Sequence, residues 1–173
     1  MSGMKTIIEG KRLTITQMDL SMVNDVWQNS LDEDNRRFVP DEVFETIEDA
    51  TDVVNFIISR YESKDGPFIY ALIRNDDLAN IGYVQLVNIG EGYEIGYHIA
   101  KKYTNNGYAT EAVKLFLEYL KNNVNIKELY GIALADNKAS VRVLEKCGFK
   151  KFFEGEGPYQ GEQRNIVKTI ITL

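Results

Sequence analysis

A mixed α/β sheet is the fold class that this sequence predicts, and three observations predict it. Side chains alternate along residues 80–89 and again along 93–100, the two-residue period of strands. Apolar residues recur every three or four positions in 46–61 and after residue 107, the period of an amphipathic helix. The runs also come in a telling order: strands in succession through the middle, then strand, helix, strand, helix, strand. That order fits a mixed sheet and not a doubly wound parallel one.

Residues 5–16 (KTIIEGKRLTIT) hold two short apolar stretches and read as a strand pair or one bulged strand. Residues 19–31 read as a helix, with Met22, Val23, Val26 and Trp27 on one stripe and Asp19 as its cap. Residues 32–44 are polar and irregular. Helical spacing returns at 46–61, where Ile47, Ala50, Val54, Ile57 and Ile58 share a face. A strand at 68–73 follows Gly66-Pro67 and precedes the turn-forming Asn75-Asp76-Asp77. In 80–89 the alternating set is Ile81, Tyr83, Gln85, Val87 and Ile89, and Gly90-Glu91-Gly92 turns the chain into the strand 93–100. The next helix carries Ala109, Ala112, Val113, Phe116, Leu117 and Leu120. A strand at 128–135, a short helix at 140–146, a strand from Phe149 and a last strand at 166–173 complete the chain. The stretch 155–161 reads as a hairpin turn or as a loop bordering a site.

With 173 residues, no internal repeat and no Pro/Gly/Ser linker, the chain is expected to form one domain over 1–173. A net charge of −6 argues against a nucleic-acid partner, and no run is apolar enough to span a bilayer. Cys147 is the sole cysteine, which excludes a disulfide framework and fits a cytoplasmic setting. Asp32-Glu33-Asp34 and Asp41-Glu42 lack His or Cys partners at ligand spacing, so no metal is expected. They flank a stretch that reads as a solvated loop or as a wall of a binding pocket.

The stretch YTNNGYATEA at 103–112 places two asparagines and a glycine ahead of a helix. The first N–H groups of a helix lack internal partners and carry positive potential, so they suit an anion. Asn106, Gly107, Tyr108, Ala109 and Thr110 are the N–H donors of such a cradle. The competing reading is a plain connection, with Asn106 as N-cap and Glu111 answering the helix dipole. The turn is neither a P-loop nor G-x-G-x-x-G.

Read with its surroundings, the turn belongs to a larger pattern. YEIGYHIAKKYTNNGYATEA at 93–112 and ADNKASVRVLEKCGF at 135–149 resemble the GNAT superfamily of acyl-CoA-dependent N-acetyltransferases, and the resemblance runs through essentially the whole chain. KRLTIT near the start and IGYVQL at 81–86 are similar to the Rim-type ribosomal-protein N-terminal acetyltransferases. The resemblance implies a central, mostly antiparallel mixed sheet of about six to seven strands with about four flanking helices, splayed at a coenzyme A site. It places the diphosphate signature on Thr104, Asn105, Asn106, Gly107, Tyr108 and Ala109. Thr104 and Asn105 stand where the family more often has Arg or Gln and Gly, which puts side-chain help in question but leaves the backbone cradle intact.

The resemblance also implies roles along the strand before the turn. Backbone groups of Tyr97 and Ile99 are expected to hold the pantetheine arm, and the Ile99 N–H to polarise the thioester, worth about 3 kcal/mol. Asn137 matches the asparagine that bonds the coenzyme arm, and equally reads as an N-cap. Many members place a tyrosine acid where this chain has Leu144, so Ser140 is the expected proton donor. For the general base, Glu94 is ranked above His98, which also reads as a structural strand histidine.

The function expected is acetyl transfer from acetyl-CoA to a primary amine, on a protein N-terminus or a small molecule, by direct attack in a ternary complex. The alternative is a non-catalytic CoA-binding sensor or assembly protein. A homodimer stays open.

Overall fold

The computed structural model describes residues 4–173. Two short strands, β1 (Thr6–Glu9) and β2 (Leu13–Gln17), form an antiparallel pair with an irregularity between Thr6 and Ile8, so the first apolar run is the strand pair of the two alternatives. Asp19 then accepts a hydrogen bond from the Ser21 N–H at 2.8 Å and opens a 3-10 turn, Leu20–Met22, that leads into helix α1 (Val23–Ser30). Helix α2 (Glu33–Phe38) and a 3-10 turn at Pro40–Glu42 occupy the stretch expected to be irregular. Six residues are too few to display a helical period, which is why the sequence hid α2.

Helix α3 (Ile47–Arg60) starts at a reciprocal capping box between Thr46 and Asp49. Ala50, Val54 and Ile57 are its buried stripe, whereas Ile47 and Ile58 are 39% and 36% exposed. The apolar face read from the sequence was therefore too wide. Strands β3 (Phe68–Arg74), β4 (Asn80–Asn88) and β5 (Tyr93–Ile99) form the meander. Helix α4 (Tyr108–Asn123), β6 (Glu128–Leu134), α5 (Lys138–Lys146), β7 (Lys150–Tyr159) and β8 (Glu162–Thr172) follow. Left-handed Gln160 and Gly161 make the two-residue turn of the last hairpin.

Among the described residues, eight strands join one sheet in the order β1-β2-β3-β4-β5-β6-β8-β7, and only the β5–β6 pair is parallel. The mixed, mostly antiparallel sheet is as expected, with one strand and one helix more than the expected number. Helix α4 packs Val113, Phe116 and Leu120 on one face of the sheet against Leu13, Leu72, Val84 and Ile95. On the other face, Met18, Met22, Val54 and Ile57 meet Ala71 and Ile73. Neighbours 71, 72 and 73 of β3 thus feed opposite layers, as the pleat requires.

Strand β4 departs from the alternation read in its sequence. Ile81, Val84 and Leu86 face the α4 layer, while Tyr83 packs with the opposite layer. A register shift pairs Leu72 with Gly82 but Ile73 with Asn80, and the extra residue reverses the phase of the strand. Tyr83 and Gln85 are thereby turned toward the α1–α2 side, where they line a cavity. At the shift β4 and β5 come so close that a Cβ on Gly82 would stand 1.9 Å from the His98 carbonyl oxygen. Gly82→Ala is expected to destabilise the protein by about 3 kcal/mol, read from the urea midpoint, because backbone must yield. An unchanged midpoint would contradict this packing.

Candidate active site

Two parallel strands that part company create the site. β5 pairs with β4 along its whole length, and β6 pairs with β8 along its own, but β5 and β6 meet only at Glu94↔Tyr130 and Ile95↔Gly131. Beyond Ile95 each strand follows its outer partner, and a cavity of about 440 Å³ opens between them. Gly96, Tyr97, His98 and Ile99 line it from β5, and Ile132 and Ala133 from β6. The Ala100 N–H donates to the Ile81 carbonyl of β4 at 2.9 Å. By alternation, the backbone groups of Tyr97 and Ile99 face the other way, into the opening.

Helix α4 begins at its mouth. Gly107 is the N-cap residue in the left-handed region (φ 79°, ψ 8°), and no side chain caps the helix. Asn106 is not the cap: its amide donates to the Tyr103 and Thr104 carbonyls at 3.1 and 3.0 Å and braces the turn from within. Thr104 does likewise through its hydroxyl to the Lys101 carbonyl at 2.7 Å. Asn105 is also left-handed (φ 65°). The result is a concave run of N–H groups, through Tyr108, Ala109 and Thr110, of the kind that receives anions.

A cation from far along the chain joins this turn. Arg12, between β1 and β2, donates to the Asn106 carbonyl at 3.0 Å, pairs with Glu111 at 2.7 Å, and lies 4.5 Å from the Tyr108 ring centroid. Glu111 is thus engaged by Arg12, and the guanidinium brings positive charge to a turn whose own signature lacks the usual Arg. Nothing in the local pattern announces this contact, because Arg12 and Asn106 are 94 positions apart.

On the β6 side, Asn137 caps α5, its Oδ1 accepting from the Ser140 N–H at 3.3 Å. Both residues line the opening. The Tyr97 hydroxyl donates to the Ser140 carbonyl at 2.7 Å and lies 2.9 Å from the Ser140 hydroxyl. Burial, only partly offset by the Ser140 hydrogen bond, pushes the Tyr97 hydroxyl above its ordinary pKa, so it stays protonated. The sequence reading used only the backbone of Tyr97 and missed this hydroxyl pair. Leu144 is 1% exposed and belongs to the core.

The third group is acidic. Glu94 and His98 project from β5 on the face toward α2, where Glu42 of the 3-10 turn meets them. Burial, and then the neighbouring Glu42 charge, push the Glu94 carboxyl up to about 7. Burial also pushes Glu42 up to about 7, against the opposing pull of His98 and Gln85. Asp32 behaves oppositely: burial would raise it, but His98, 3.7 Å away, and the Asn35 N–H outweigh burial and hold it below the usual value.

The stretch 32–42 is therefore a wall of the site and not a solvated loop. Lys101 bonds Asp34 at 2.8 Å, Arg37 reaches Asp136 at 3.1 Å, and the Tyr159 hydroxyl donates to the Phe38 carbonyl at 2.9 Å. The Asp41 N–H donates to Gln160 at 3.3 Å. The 155–161 stretch is accordingly both a hairpin end and a border of the cavity.

Of the residues predicted from sequence, Ser140, Glu94, His98, Tyr97, Ile99, Thr104, Ala109 and Asn137 line the one opening. Asn105, Asn106, Gly107, Tyr108 and Thr110 form the adjoining turn and helix start. Among the described residues, no three His, Cys, Asp or Glu are arranged to hold a metal ion, and no helix is long and apolar enough to cross a membrane.

Comparison with known proteins gives this geometry a context. Residues 12–150 match the model of the acetyltransferase (GNAT) domain. The uncharacterized N-acetyltransferase YnaD of Bacillus subtilis is 30% identical over 146 residues, covering 83% of this chain and 82% of YnaD. The crystal structure of a GNAT-family acetyltransferase from Bacillus anthracis superposes with a TM-score of 0.82 at 25% identity, over 95% of this chain and 97% of that one. RimL, a ribosomal-protein alpha-N-acetyltransferase in complex with coenzyme A, shares the fold with a TM-score of 0.83 at 16% identity, over 98% of each chain.

Proposed function

Because this chain belongs to the GNAT acetyltransferase family, matched over residues 12–150, we propose that it transfers an acetyl group from acetyl-CoA to a primary amine while both are bound. The observation that carries this reading is the divergence of β5 from β6 after Ile95, with an uncapped helix start on one side and paired carboxyls on the other. The residues fit the coenzyme. N–H groups of Tyr108, Ala109 and Thr110 receive its diphosphate, with Arg12 adding charge, and the free edge of β5 at Tyr97 and Ile99 pairs with its amide arm. Asn137 keeps its amide NH2 for that arm while its oxygen caps α5. The coenzyme supplies an activated acetyl thioester.

The chain's own residues move the protons. Glu94, with its pKa near 7, takes a proton from the acceptor ammonium and frees the nitrogen lone pair. The Ile99 N–H stabilises charge on the thioester oxygen as the C–N bond forms. The C–S bond breaks with its electron pair left on sulfur. Ser140 donates a proton to that sulfur and recovers one from the new amide nitrogen, its hydroxyl held by Tyr97. A cytoplasmic setting is consistent with the acidic chain and its lone cysteine.

The test is thiol release from acetyl-CoA with a panel of small amines and peptides. Amine-dependent release is expected. Tight coenzyme binding with no amine-dependent release would overturn catalysis and leave a binding protein. Ser140→Ala is expected to lower kcat at least about tenfold with coenzyme A affinity little changed, because the hydroxyl acts in the transition state. A wild-type kcat would remove Ser140 as the donor.

A further inference from the structure

A second, smaller cavity of about 150 Å³ lies behind the first, between the sheet and helices α1 and α3. Glu42, Tyr83, Gln85 and His98 line both cavities and so form a shared rim. The inner walls are apolar, from Val26, Phe44, Val53, Ile57 and Ile69. Yet, among the described residues, three polar atoms on this cavity are buried without a hydrogen-bond partner: Asn35 Oδ1, Glu42 Oε2 and His98 Nε2, the last facing Asp32 at 3.7 Å. Asn35 is 1% exposed, and its amide nitrogen is committed to the Glu42 carbonyl at 3.2 Å, which leaves its oxygen as the open end.

Buried polar groups in folded proteins are normally satisfied, and an orphaned set around a cavity marks a place where something else supplies the partners. Here the missing partners are donors, since the Asn35 oxygen and an ionised Glu42 can only accept. An ammonium carries three donors and no acceptor, and it also suits the carboxylate charge. The cavity as a whole is of the size that admits a benzene ring. Its five apolar side chains offer no partner to a second ammonium or to a set of hydroxyls, and Asn29, Ser30, Asp41 and Asn80 are the remaining polar residues of the lining.

We propose that this chamber is the acceptor's substituent pocket: the acceptor is a primary amine whose ammonium docks on Asn35 and Glu42 and whose aliphatic or aromatic group fills the space among Val26, Val53 and Ile57. The proposal deepens the acetyl-transfer reading and rests on it for what happens to the docked nitrogen, which then sits at the rim facing Glu94. The same chemistry is found in a free alkyl or arylalkyl amine and in a peptide beginning with a large apolar residue. Polyamines and amino sugars do not match it.

The test uses the full chain, with labelled methyl groups, titrated with phenethylamine, isoamylamine, a phenylalanine-initiated peptide, putrescine and glucosamine. Methyl signals of Val26, Val53, Ile57 and Ile69 are expected to shift saturably with phenethylamine and isoamylamine, and not with putrescine or glucosamine. The same shifts with the peptide would assign the acceptor to a protein N-terminus; their absence there, to a free amine. Val53→Trp, which fills the chamber, is expected to abolish the shifts and to raise KM for phenethylamine at least tenfold with coenzyme A affinity unchanged. Glu42→Gln, which keeps the shape, is expected to weaken the methyl response at least tenfold should Val53→Trp fail to fold. Shifts of equal size with putrescine, or none with phenethylamine, would overturn the proposal. The methyl response needs no coenzyme, so its failure and a failure of acetyl transfer are separate results.

Discussion

Glu94→Gln is expected to lower kcat/KM by about 10²- to 10³-fold and to remove the acidic limb of the pH–rate profile. An amine at neutral pH is largely ammonium, and a base must take its proton before the nitrogen can attack. Such a base works best when its pKa lies near the working pH, and burial beside Glu42 brings Glu94 there, to about 7. The wild-type rate should therefore climb through pH 7 as Glu94 ionises and level off above it. Glutamine keeps the shape and loses the base, so the climb disappears together with the rate. A full rate with an unchanged profile would hand the role to His98 or to solvent.

The same substitution carries an opposite effect on stability. The unfolded carboxyl titrates near 4.5 and the folded one near 7. Between those values the folded state holds a proton that the unfolded state has lost, so stability falls as pH rises through this window. Above pH 7 the loss is at most about 3 kcal/mol, and Glu94→Gln recovers part of it. A variant that melts higher at pH 8 than the wild type, yet turns over far more slowly, is the expected signature of a group kept for chemistry.

Gly107→Val is expected to weaken coenzyme A binding by about 100-fold while the fold persists. Gly107 is left-handed, a conformation that costs an L-residue about 1–2 kcal/mol and a β-branched one more. A Cβ there would meet only Arg12, at 3.5 Å, so the protein has room for it. The loss falls instead on the turn geometry that aims the N–H groups, and on the space the diphosphate needs. Gly107→Ala should lose only several-fold, because it adds a methyl without branching. Equal affinity for glycine and valine would show that the turn is only a connection.

Local chemistry was what the sequence made legible. The strand and helix periods located the elements from β3 to β8, and a turn rich in Asn and Gly before α4 announced an exposed helix start. Features that depend on distant partners were silent. Glu42 and Asn35 sit in a polar stretch that looks solvated, and contacts to Lys101, Asp136, Tyr159 and Gln160 fold it over the site. Arg12 reaches the turn through the placement of β2 beside α4 and β3. The alternating set in 80–89 does not keep to one face, because an inserted residue in a ladder reverses the phase without changing the look of the strand. Ser140 and Tyr97 were each named, but their hydroxyl contact requires β5 and α5 to meet across the opening.

Backbone amide spectra recorded during a coenzyme A titration test the site most directly. The account predicts saturable shifts concentrated at the amides of Gly107, Tyr108, Ala109 and Thr110 and along the free edge of β5 at Tyr97 and Ile99. A saturating coenzyme that leaves those amides unmoved, or moves a different surface, would contradict it.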